Sequence, residues 1–260
     1  MINLEIKLFF MRSLNNLLIG LLFVSMACTS AQVVSVLKSS GQIIPEEDGT
    51  LTTNEVVMGL KEALIQGVTI GTFEASRTDG YLGNLEIRIP FPPEIEFVEQ
   101  KLRQVGLNQP VDDFIESINR AAEKAAAEAK PIFVDAIMTM TIDDAWNILK
   151  GEEDAATVYL KGRTSMALFD QFEPIIDEAL SSVNATKYYS TMINAYNKIP
   201  FVEKADADLS AYVTGKAIDG LFVLVAQEEA KIRKDPAERT TEILKSVFGY
   251  NDQYLNNIII

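Results

Sequence analysis

The chain contains no histidine, one cysteine and one tryptophan in 260 residues. Without histidine there is no Ser-His-Asp or Cys-His catalysis, no histidine-ligated zinc and no Glu-x-x-His di-iron motif. One cysteine excludes an internal disulfide and a thiolate zinc cluster. Basic residues are scarce as well. Lys and Arg number 23 against 37 Asp and Glu, which gives a formal charge of −14 and an isoelectric point near 4.5. Such a surface repels phosphate backbones, so nucleic acid is not an expected partner. Phosphate and dinucleotide loops are missing, and so is the twelve-residue EF-hand spacing, so no cofactor and no metal is expected. What remains is 48% hydrophobic and 23% charged, the composition of a folded globular chain rather than a disordered one.

The first distinctive feature is an export signal. Residues 17–27 form a short apolar run, Leu-Leu-Ile-Gly-Leu-Leu-Phe-Val-Ser-Met-Ala, preceded by Arg12. The run is too short to span a bilayer and has the length of a signal-peptide core. Met11 fits a natural start as well as Met1 does. Cys28 follows directly after Ser25-Met26-Ala27, which resembles the lipobox of bacterial lipoproteins and implies lipidation of Cys28 and membrane attachment through it. Ser25 stands where that motif usually has leucine. The alternative is cleavage after Thr29-Ser30-Ala31, giving a soluble periplasmic or secreted protein without the cysteine. Beyond residue 27 no 18-residue apolar run occurs.

The expected organisation is a signal peptide at 1–27, a tether at 28–53, a helical domain at 54–249 and a tail at 250–260. Val57, Leu60, Leu64 and Val68 recur at helical spacing after a cap at Thr53 or Asn54. Gly59, Gly67 and Gly71 lie within this helix and point to close helix packing. Pro92-Pro93 and Pro110 open further helices, Gly106 stops one, and Pro131 breaks another. Thr141 with Asp144 has the spacing of a capping box. A helix from Glu152 to about Val183 contains Pro174. Asp208 precedes a long helix to Lys234, and Asp235-Pro236 restarts the chain. Between helices, Leu85-Glu86-Ile87-Arg88-Ile89 alternates like a short strand. The fold class is therefore mainly α: a single multi-helix, orthogonal or bundle-like domain with at most a short β element near residues 85–89.

Several segments taken together resemble a known family. They are Gly59-Leu60-Lys61-Glu62-Ala63-Leu64, Asp79-Gly80-Tyr81 leading to Ile87-Arg88-Ile89-Pro90, and Met140-Thr141-Ile142-Asp143-Asp144-Ala145. Gly151 to Thr157, Tyr212-Val213-Thr214, Asp219-Gly220-Leu221-Phe222, Glu228-Glu229, Ile232-Arg233 and Pro236 with Arg239-Thr240-Thr241 complete the set. In this order they resemble the bacterial family catalogued as domain of unknown function 4197, over about residues 54–249. The resemblance implies an exported, mostly helical protein and supplies no catalytic residues.

Candidate chemistry is sparse. Glu229 and Arg233 are spaced for an i,i+4 ion pair, while Glu228 on the same helix is a candidate inward acid. Glu152, Glu153 and Asp154 suit the positive end of a helix. Arg163 and Arg239 are candidate anion receivers. The sharpest candidate ligand site is the turn-rich stretch holding Asp79, Tyr81, Asn84 and Arg88, where the helical pattern stops and Gly80 and Gly83 free the backbone. The expected function is a non-enzymatic, membrane-tethered binding domain of the cell envelope, whose partner is an envelope protein or a small ligand. The alternative is a periplasmic hydrolase using a carboxylate pair.

Overall fold

The first helix is set by a reciprocal cap. Thr52 Oγ1 accepts a hydrogen bond from the Glu55 amide at 3.2 Å, and the Glu55 carboxylate accepts one from the Thr52 amide at 2.8 Å. Two orphan donors are satisfied at once, one residue earlier than the sequence suggests. The computed structural model describes residues 52–198, 200–201, 204 and 208–249. The expected signal segment 1–27, Cys28, the expected tether as far as residue 51 and the expected tail 250–260 lie outside the described residues.

Helix α1 covers Thr53–Ser76, and a 3-10 turn at Pro93–Ile95 leads into α2, Glu96–Gln104. Then come α3 at Asn108–Ala126, α4 at Ala129–Met138, α5 at Ile142–Lys150, α6 at Ala155–Ser182 and α7 at Ala185–Tyr196. The long α8 spans Leu209–Lys234, a second 3-10 turn lies at Pro236–Glu238, and α9 occupies 242–249. Among the described residues there is no strand, so the domain is all-helical. Pro131 falls in the first turn of α4, where its missing donor is harmless, and the chain breaks before it at Ala127 and Glu128. Pro174 sits inside α6 without ending it. The Thr141–Asp144 capping box forms with both of its hydrogen bonds.

At the centre α8 packs on α1 and on α6, with α3 covering α6 and α4 and α5 covering α1. Val56, Leu60 and Val68 of α1 meet the core that Val213, Leu221 and Val225 of α8 complete. The glycines of α1 are what allow this. A Cβ at Gly71 would touch Val225 Cγ2 at 3.4 Å, and one at Gly59 would strike Val247 Cγ2 of α9 at 2.6 Å. Both α1 and α8 are long and apolar enough, by length and composition, to cross a membrane, yet more than half of each apolar stretch is buried inside the protein.

The alternating segment at 85–89 is a turn, not a strand. The Ile87 and Arg88 amides both donate to the Asn84 carbonyl, at 3.2 and 2.8 Å. Ile87 and Ile89 point into the core, while Leu85 is exposed. The partner a strand would need is supplied by one side chain. Asn119 Oδ1 accepts from the Ile89 amide at 2.8 Å, and its Nδ2 donates to the Ile89 carbonyl at 2.9 Å. This buried amide satisfies the extended backbone as a neighbouring strand would.

Candidate functional site

The stretch from Asp79 to Arg88 is positioned by the end of α1. Asp79 has a positive φ of 63°, and Gly80 is pressed against the last carbonyls of α1, where a Cβ would lie 2.3 Å from the Glu74 oxygen. Only glycine fits so close a backbone approach. Tyr81 is fully buried. Its ring rests on Gly220 of α8, and its hydroxyl donates to the Ala217 carbonyl at 2.5 Å. Burial pushes its phenol well above the ordinary tyrosine range, and the charge of Glu123 adds to the shift. The backbone amides of Tyr81 and Leu82 both donate to Glu123 Oε1 at 3.2 Å.

Arg120 joins this network. Its guanidinium contacts Glu123 and Asp79, each at 2.8 Å, and Glu116 at 3.3 Å. Its hydrogen bond to the Glu123 carboxylate holds it firmly in its charged form. Asp79 and Tyr81 thus meet on one charge network, which fastens the turn to α3. Asn84 Oδ1 accepts from the Glu86 amide and shapes the turn. Arg88 is exposed and its side chain makes no ion pair with any described residue; it meets Asn84 only through its backbone amide.

Glu229 does more than pair with Arg233. Its side chain is 7% exposed and accepts from the Ala156 and Thr157 amides at 2.9 and 2.8 Å, and from the Thr157 hydroxyl at 2.8 Å. These amides are the free donors at the start of α6, whose own cap residue Asp154 makes no side-chain cap. Arg233 donates to Glu229 at 2.9 Å and to the Ile148 carbonyl at 2.8 Å, at the end of α5. One ion pair on α8 therefore places an anion on the positive end of one helix and a cation on the negative end of the helix before it. Glu228 pairs with the half-exposed Lys231. Beside the pair a cavity of about 20 Å³, lined by Leu60, Leu64, Val225 and Phe248, has room for about one water. Arg239 donates to the Ile232 and Arg233 carbonyls and closes the end of α8.

A larger concavity lies between α4 and α6. It is an open groove of about 520 Å³, lined by Ile132, Asp135, Ala136 and Thr139 of α4 and by Arg163, the buried Thr164 and Ala167 of α6. The volume falls in the range of small-molecule and peptide sites. Arg163 lies over the Tyr159 ring at 5.4 Å and reaches Asp144 only at 3.8 Å. The Thr141 amide and hydroxyl already donate to Asp144 Oδ2, which keeps that carboxyl below the usual range. No group of three or more acidic or cysteine side chains placed for a metal ion occurs among the described residues.

Sequence reasoning missed Asn119, Arg120 and Glu123. The available signal was their position. Asn119 and Glu123 share the helical face of Ile115, Ile118, Ala122 and Ala126, where a polar residue needs a partner. It also missed that Glu229 caps a helix 73 residues earlier in the chain, which no local pattern encodes.

A family model described as protein of unknown function (DUF4197) matches residues 50–249. No curated protein and no solved structure matches the chain.

Proposed function

We propose that this chain, which belongs to the family of proteins of unknown function DUF4197, is an exported, lipid-tethered binding domain of the bacterial envelope. The helical body presents a recognition surface, and Cys28 holds it at a membrane. The observation that supports the binding role is the α4–α6 groove. It is an open concavity of about 520 Å³, and its wall carries one carboxylate, Asp135, where a carboxylate-pair hydrolase needs two facing each other about 5–10 Å apart. Two of the three buried acids among the described residues are committed to structure, Glu123 holding the amides of the 81–82 turn and Glu229 the start of α6, while the third, Glu228, pairs with Lys231. Their lone pairs are filled by donors from the protein itself, which leaves them poorly placed as general acids or bases. The export signal and the cysteine beside it support the tether.

Two measurements test this reading. In cells, a photo-crosslinker placed at Ala167, an exposed residue of the groove lining, is expected to give a discrete adduct, and one at the exposed Glu242 of α9 is not. Identical adducts from both positions would remove the groove as the recognition surface. Membrane fractionation with acyl labelling tests the tether. Cys28→Ser is expected to lose both label and membrane recovery, and equal recovery of variant and parent favours cleavage after Ala31.

A further inference from the structure

After α7 the chain holds a bulky side chain out into solvent from an unfavourable backbone conformation. Phe201 has a positive φ of 65°, a region that a residue with a large side chain rarely enters. Its side chain is fully exposed, so no core contact offsets that conformation. Single apolar residues on a helix surface, such as Phe73 of α1 or Met166 of α6, are ordinary. Phe201 differs because its backbone is turned in a way that internal packing does not require. Outliers of this kind gather at functional positions.

The sequence around it reads Lys198-Ile199-Pro200-Phe201-Val202-Glu203-Lys204. Four consecutive apolar residues stand between two stretches that each carry a lysine, in a chain where bases are outnumbered 37 to 23. Lys198, Pro200 and Lys204 are exposed. A lysine stem lies along apolar material while its ammonium reaches for a phosphate. Pro200 fixes its own φ, which lowers the entropy lost when the tip is held. The helix that leads in, α7, ends on Tyr196, whose ring packs on Phe97 of α2 with centroids 5.3 Å apart. Phe97 is itself 43% exposed, so a further aromatic surface stands where α7 ends.

We propose that Phe201, flanked by Lys198 and Lys204, seats in the interface of a bilayer that carries anionic lipid. The ring enters the boundary between headgroups and acyl chains, and the two ammonium groups meet lipid phosphates. The proposal rests on the reading above that Cys28 is lipidated. The chain from Cys28 to Thr52 reaches about 80 Å when extended, and a domain of about 200 residues is about 45 Å across. The tether therefore lets any face of the domain turn to the bilayer. It also makes the contact intramolecular, so a weak interaction suffices. The net charge of −14 is screened beyond about 8 Å at physiological ionic strength, which leaves the lysines nearest the ring to set the contact. A protein partner fits this tip less well. A specific protein interface buries about 800 Å² on each side, whereas one aromatic side chain supplies about 200 Å². A bilayer needs no matching surface.

The test uses the full chain purified from membranes, carrying fluorine-19 phenylalanine. It is reconstituted in vesicles of phosphatidylethanolamine and phosphatidylglycerol that include a nitroxide-labelled lipid. The Phe201 and Phe73 signals are assigned by their absence from Phe201→Leu and Phe73→Leu variants. The nitroxide is expected to broaden the Phe201 signal and to leave Phe73, 64% exposed on α1, sharp. Lys198→Gln and Lys204→Gln are each expected to weaken the contact about fivefold, the scale of one lysine near an anionic surface. No broadening at Phe201, or equal broadening at Phe201 and Phe73, overturns the proposal. So does a contact that survives unchanged both in the double lysine variant and in vesicles of phosphatidylcholine alone. Acyl labelling of the same preparation keeps the two readings apart. Acyl label with a sharp Phe201 signal rejects the bilayer contact and leaves the tether standing. Absence of acyl label removes the tether, and with it the proximity on which this contact depends. A sharp Phe201 signal together with a discrete protein adduct from a photo-crosslinker placed at Phe201 rejects the bilayer in favour of a protein.

Discussion

Replacing Glu229 with glutamine isolates the contribution of one buried charge. The side chain keeps its volume, but the oxygens that now accept from the Ala156 and Thr157 amides, the Thr157 hydroxyl and the Arg233 guanidinium become one oxygen and one NH₂ donor. Whichever way the amide turns, a donor faces a donor. Arg233, 11% exposed, then lies buried without its counter-charge. Breaking one partner of a buried pair costs about 3–5 kcal/mol. For a domain of this size that corresponds to a fall in Tm of about 6–20 °C. Urea and thermal denaturation of the full chain, followed by circular dichroism, measure it. The neighbouring Glu228→Gln serves as the control. Its partner Lys231 is 54% exposed, so the expected cost is under about 1 kcal/mol. A second control, Arg233→Met in the Glu229→Met background, is expected to recover part of the loss, because no charge is left buried alone. A Glu229→Gln variant within about 1 kcal/mol of the parent would refute the reasoning, and the helix ends would then be satisfied without the pair.

Two glycines are expected to respond in opposite directions. Gly162→Ala gains about 0.5–1 kcal/mol of helix stability, whereas Gly59→Ala, whose new Cβ meets Val247 Cγ2 at 2.6 Å, loses about 1–3 kcal/mol through overpacking; paired melting curves that shift the same way would contradict this. Asp144 has its carboxyl lowered by the Thr141 bonds, so its contribution is complete above the unfolded value near pH ~3.9 and is lost as the pH falls through the folded one. Asp144→Asn is therefore expected to lower stability by about 1 kcal/mol at pH 7 and to have progressively less effect in acid, read from melting curves between pH 7 and 2. Arg88→Ala is expected to leave Tm unchanged, since Arg88 makes no ion pair with a described residue. Loss of the Ala167 adduct in that variant would extend the recognition surface to the turn of Asp79, Tyr81 and Asn84.

The helices were legible because their signals are local. Thr141 and Asp144 lie three residues apart, Pro93 and Pro131 fall in first turns, and the apolar spacing of α1 repeats over six turns. The glycines of α1 were legible as a packing face because three of them recur on one helix. The turn at 85–89 misled because alternation reports burial, not pairing. Ile87 and Ile89 alternate inward, but the backbone partner is the side amide of Asn119, thirty residues away. The charge network around Arg120 and the cap by Glu229 were illegible for the same reason: their partners are 41 and 73 residues distant. The groove was hidden more completely. Arg163 was visible as a candidate anion receiver, but its sharing a groove with Asp135 depends on how α4 and α6 lie side by side.

The placement of α8 also bears on when the protein becomes folded. Tyr81 waits for Ala217, 136 residues downstream. Gly71 waits for Val225, the start of α6 waits for Glu229, and the end of α5 waits for Arg233. A chain emerging N-terminus first can form its helices locally, but its core lacks a keystone until residue 234 is available. Closure over such sequence separations is slow and comes late. Under the export proposed above, in which the chain crosses a translocation channel unfolded, this chain order is an advantage. The faces of α1 and α6 that α8 covers stay open while the front of the chain is in transit, and completion of the core is deferred until the rear of the chain has arrived.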